Sequence, residues 1–110
     1  MLFFFRKADV PDNSMLLINL SGQTNGLGVD GSFSVDDGPS MGWDTSQPLP
    51  LRSPHRYSVE VDVVGTQAAQ FVLQAEITSN GAQVGTGFNQ SITVQPNDLN
   101  TLDCSINMTP

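Results

Sequence analysis

Glu60 and Asp62 stand two positions apart in the run Tyr57–Val64, where apolar and polar residues alternate, so both carboxyls project from one face of a strand. Two carboxyls on one face are the equipment of glycoside hydrolysis, one as general acid and one as nucleophile or base. Solvated residues on the outer face of a sheet are spaced in the same way, and that is the reading adopted for this pair. Asp30, Asp36, Asp37 and Asp44 are hard oxygen ligands suited to a cation such as Ca²⁺. They lack the EF-hand spacing, however, and Asp37-Gly38-Pro39 spells an ordinary turn. The sole histidine, His55, has no nucleophile assigned to it by any motif. The sole cysteine, Cys104, shares a strand face with Leu102 and Ile106, where a thiol acts as a small hydrophobe. Gly26-Leu27-Gly28-Val29-Asp30-Gly31 has the spelling of a dinucleotide-binding loop. That loop works by presenting a helix N-terminus to pyrophosphate, and here a strand, Ser32–Val35, follows instead. The expectation is a protein without catalytic residues, cofactor or resident metal, and so not an enzyme.

The elements that would position these groups are strands. Val29–Val35, Tyr57–Val64, Phe71–Ser79 and Leu102–Met108 alternate with period two, Met15–Leu20 reads as a strand with Leu16, Ile18 and Leu20 on one face, and no window carries the three-and-four spacing of a helix. The apolar second face of Met15–Leu20, with Met15 and Leu17, predicts a strand that is central or covered on both sides. Asn80-Gly81 is the strongest short hairpin signal in the chain. It predicts the pairs Ile77 with Val84, Ala75 with Thr86 and Leu73 with Phe88, followed by one long strand from about Gln83 to Gln95 that bends at Gly85 or Gly87. Residues 36–56, with four prolines, read as a long connection that is either functional or carries a short irregular strand. The fold class predicted is all-β: a small antiparallel two-layered β-sandwich, immunoglobulin-like or jelly-roll, with a closed β-barrel as the alternative. Residues 1–12 form an N-terminal apolar arm or a first strand, and residues 13–110 a single sandwich domain.

Composition narrows the function. Eleven acidic against four basic residues give a net charge of −7, which repels phosphate and argues against nucleic acid as a partner. No run has the length or apolar character of a membrane span or a secretory leader, so neither a membrane partner nor self-export is expected. From Tyr57 to Pro110 there is no lysine or arginine. Lysine commonly guards exposed strand edges, so the sheet in this half must close, cover its edges or pair with something.

Two features point to contact with other surfaces. Leu2, Phe3, Phe4 and Phe5 put four large apolar residues in succession, either as an arm for a neighbouring subunit or as a strand of the chain's own sandwich. The proline-stiffened segment from Gly42 to Arg56 carries Trp43, Arg52, His55 and Arg56, and Trp and Arg are enriched at interface centres. For Trp43 itself the reading preferred is a plug in one end of the sandwich. The function expected is a non-enzymatic structural or interaction protein. It would pack with copies of itself or in a larger lattice, of the kind found in a viral capsid, decoration or tail, which would place it in a virion. The alternative is a monomeric binding or inhibitor module using the 36–56 loop.

Overall fold

A computed structural model describes the whole chain, Met1–Pro110. Ten strands form two five-stranded sheets packed face to face: β1 (Leu2–Val10), β2 (Ser14–Gly22), β3 (Leu27–Val35), β4 (Met41–Trp43), β5 (Leu49–Leu51), β6 (Arg56–Gly65), β7 (Ala69–Ser79), β8 (Ala82–Gln83), β9 (Phe88–Val94) and β10 (Leu99–Met108). One sheet has the order β1-β10-β6-β3-β4. In the other, β5-β2-β7 is continued by β8 and then β9, both on the same side of β7. The protein is therefore a two-layered β-sandwich; the sheets do not close into a barrel and no helix forms.

Period-two alternation accounts for the core. Tyr57, Val59, Val61 and Val63 of β6, Phe71, Leu73, Ala75 and Ile77 of β7, and Leu102, Cys104, Ile106 and Met108 of β10 are all buried in one cluster between the sheets. β2 lies between β5 and β7, as its doubly apolar pattern required. Leu2–Phe5 belongs to the chain's own fold. β1 runs parallel to β10, with Phe5 opposite Cys104 and Val10 opposite Met108, and both Phe5 and Val10 are buried. The long connection from Asp36 to His55 carries two three-residue strands, β4 and β5, of which β5 buries Leu49 and Leu51.

The hairpin departs from its expected register in one respect. Asn80 and Gly81 adopt φ values of 52° and 80°, as a type I′ turn requires, and the Val84 amide donates to the Ile77 carbonyl at 2.7 Å. Beyond that point four residues, Val84–Gly87, face only two, Glu76 and Ile77. Thr78 pairs with Gln83 before this bulge, and Ala75 pairs with Phe88 after it. The expected pairs of Ala75 with Thr86 and of Leu73 with Phe88 do not form, and the single long strand is two, β8 and β9. Gly85, at φ 67°, supplies the left-handed turn that ejects the extra residues. Since the excess is an even number, the inward face is preserved, and Ile92 and Val94 stay buried.

Candidate interaction surfaces

The eight residues singled out in the sequence fall in three separate places. On β1 they alternate: Phe3 and Phe5 point between the sheets, while Leu2 and Phe4 project outward, each about half exposed (54% and 52%). The Arg6 guanidinium lies over the Phe4 ring, 5.4 Å from its centroid. Trp43 is on β4, at the other end of the same sheet. It pairs with Gly31, where a Cβ would come within 2.8 Å of the Trp43 carbonyl, and its Nε1 donates to the Gln47 carbonyl at 3.1 Å. Trp43 is half-buried and packs against the core.

Arg52, His55 and Arg56 are each engaged within the chain. Arg52 Nε is 3.2 Å from Asp12 Oδ1, His55 Nδ1 is 2.7 Å from Asp36 Oδ2, and Arg56 is paired with Asp37. The Asp12 carboxylate also accepts the Ser53 amide, and the Tyr57 hydroxyl accepts the Arg52 amide. These bonds hold the Asp12 carboxyl below its usual range, chiefly through the Ser53 amide. The Arg56 amide, followed by His55, does the same for Asp36. The basic cluster thus clasps the end of the 36–56 connection to the sandwich. Asp30, Asp36, Asp37 and Asp44 do not converge: Asp36 and Asp37 serve the clasp, Asp44 accepts the Ser46 hydroxyl and amide, and Asp30 lies on the open sheet. No group of three or more potential metal ligands forms.

The outer face of the β1-containing sheet carries an acidic band that only the register reveals. Glu60 stands between Ser32 on β3 and Asp103 on β10, and Asp62 between Asp30 and Thr101. The Thr101 hydroxyl donates to Asp62 at 2.6 Å. Repulsion from Asp62 above all, then desolvation, Asp103 and Asp30, raises the Glu60 pKa. The native state therefore keeps the Glu60 proton to a higher pH than the unfolded chain does, and ionisation of Glu60 subtracts stability as pH rises through that range. Asp62→Asn is expected to bring Glu60 back toward an ordinary carboxyl, seen as a lower midpoint in a carbon-detected NMR titration. An unchanged midpoint would mean that Asp62 is not the main cause.

The sheet edges differ in their protection. On one flank the outer strands are β4 and β5, three residues each, and β5 contains Pro50. On the other flank β1 and β9 lie one above the other, joined by an edge-to-face contact of Phe3 with Phe88 at 5.9 Å. β1 carries three edge guards: Arg6, an inward-pointing Lys7, and a bulge between Lys7 and Val10 with Asp9 at φ 56°. β9, reading Phe-Asn-Gln-Ser-Ile-Thr-Val, has no charge, no proline and no bulge. It pairs with β7 alone, so one side of its backbone is open.

These features define a small acidic β-sandwich with one guarded and one unguarded long edge. No protein-family model, curated protein or solved structure matches the chain.

Proposed function

We propose that this is a non-enzymatic structural or interaction protein that works by packing with copies of itself, through the open edge of β9, into an oligomer or a larger lattice. The observation that carries this reading is the seven-residue uncharged edge. A strand with one unpaired side is a template for another strand, and β9 has none of the usual means of refusing one. In a chain of net charge −7, a neutral strip is also where two copies meet with least repulsion. Antiparallel pairing about a twofold axis at Ser91 sets Ser91 opposite Ser91, Gln90 opposite Ile92, Asn89 opposite Thr93 and Phe88 opposite Val94. Each pair shares a face, so the two sheets become one. The non-enzymatic reading is supported by the placement of the two side chains with most catalytic potential: His55 is spent on Asp36, and Cys104 is buried. Extended to many copies, the proposal covers a capsid, decoration or tail lattice of a virus, an extension that rests on architecture alone.

Light scattering after size exclusion, over about 1 to 100 μM protein, tests the proposal by mass action. The wild type is expected to rise above its 11.8 kDa monomer mass with concentration. Ser91→Lys/Thr93→Lys, which places like charges across the axis, is expected to stay monomeric and to keep the melting temperature of the dilute wild type. A wild type that is monomeric throughout, or a variant that associates equally well, would overturn it.

A further inference from the structure

The bulge between β8 and β9 opens a groove of about 480 Å³ on the outer face of the β9-containing sheet. Asn19 of β2, Gln74 and Glu76 of β7, Gln83 of β8 and Asn89 of β9 line it, with Leu17 of β2 as an apolar wall. The register explains their convergence. Asn19, Gln74 and Asn89 sit side by side across three strands, Leu17 is beside Glu76, and the bulge faces Glu76. Gly87 forms part of the groove where the backbone crosses so closely that a Cβ would lie 2.8 Å from the Ala75 carbonyl.

These side chains are exposed or half-exposed and are largely free to bond to a ligand. Asn19 Nδ2 donates to Gln74 Oε1 at 3.0 Å, and this is the one hydrogen bond that the five polar side chains make within the chain. Gly87, which lines the groove, makes no main-chain hydrogen bond to the rest of the fold, so its amide and carbonyl are also available. The groove thus presents planar amides, each able to donate and accept, beside a small apolar surface. An anion would meet Glu76 and no cation. A metal ion would find a single carboxylate. A wholly apolar ligand would strand the amides without partners. A neutral molecule with many vicinal hydroxyls satisfies all of them.

From this geometry we infer that the groove is a binding site for a neutral polyhydroxylated ligand, an uncharged oligosaccharide, oriented by Gln74, Asn89 and Glu76. The site lies on the sheet face and does not depend on pairing through the β9 edge.

The test uses the full chain, ¹⁵N-labelled, titrated with neutral hexasaccharides of β-1,4-linked glucose, xylose, mannose and N-acetylglucosamine and of α-1,4-linked glucose. The expected result is that at least one moves the side-chain amide signals of Gln74 and Asn89 to saturation. Gln74→Ala/Asn89→Ala, both at the surface, is expected to weaken that binding about tenfold or more while leaving the melting temperature unchanged. A hexamer of galacturonate, excluded by Glu76, should leave the same signals in place. If no neutral sugar moves them, if the double variant binds as well as the wild type, or if the acidic sugar binds equally, the assignment is wrong.

Discussion

Phe5→Ala is expected to lower the unfolding free energy by about 3–5 kcal/mol, while Phe4→Ala, one residue away, costs about 1 kcal/mol or less. The contrast follows from the alternation of β1. Phe5 is 6% exposed and stands opposite Cys104 in the core, so truncation leaves a cavity between the sheets. Phe4 stands opposite Asp103 on the outer face, where truncation loses a half-exposed ring and its contact with Arg6. Urea unfolding of the two variants reads the difference directly. An intermolecular arm would behave differently, since all its aromatic residues would be dispensable to the isolated subunit. Equal, small losses at Phe4 and Phe5 would therefore contradict the placement of β1 in the sandwich.

Alkaline pH should destabilise the fold through Cys104. Burial, with a smaller contribution from Asp103, pushes the thiol up from 9.0 to about 12. A raised native pKa means that the protonated thiol contributes fully below the unfolded value of about 9, and that the contribution fades as pH rises toward about 12. Over that window the loss reaches up to about 4 kcal/mol. Cys104→Val keeps the site apolar and is expected to flatten this part of the stability profile, measured by urea midpoints at successive pH values. In the same terms, a thiol reagent at pH 8 should label native Cys104 only as fast as the sandwich opens. Rapid labelling, or an identical alkaline profile in Cys104→Val, would count against the burial of this thiol.

Most of the sandwich was legible because alternation marks a half-buried strand residue by residue: the inward sets of β6, β7 and β10 could be read from their odd or even positions. Leu2–Phe5 was ambiguous for a physical reason. Four apolar residues in succession fit an outer strand with two apolar faces as well as an arm, and only the parallel pairing with β10, a partner about a hundred positions away, decides between them. The hairpin turn was legible from Asn80-Gly81, but the bulge was not. Gly85 and Gly87 marked where the strand could bend, whereas the number of ejected residues follows from the pairing of Ala75 with Phe88, which no local pattern contains. The surfaces were the least legible. Asn19, Gln74 and Asn89 converge across three strands, and Glu60 meets Asp103 across two, through registers that no local pattern contains. Arg52, His55 and Arg56 were visible as a cluster, yet the aspartates that occupy them lie 19 to 40 positions upstream. The missing lysines of residues 57–110 gave the most useful surface signal, because they anticipated an unguarded edge, and β9 is one.

Amide hydrogen exchange of β9 at low and high protein concentration tests the proposed assembly most directly. Those amides of Phe88–Val94 that do not bond to β7 should exchange freely in dilute protein and become protected as concentration rises, while the open side of β1 stays unprotected. Exchange on β9 that does not change with concentration, or protection that appears on another strand instead, would contradict assembly through this edge.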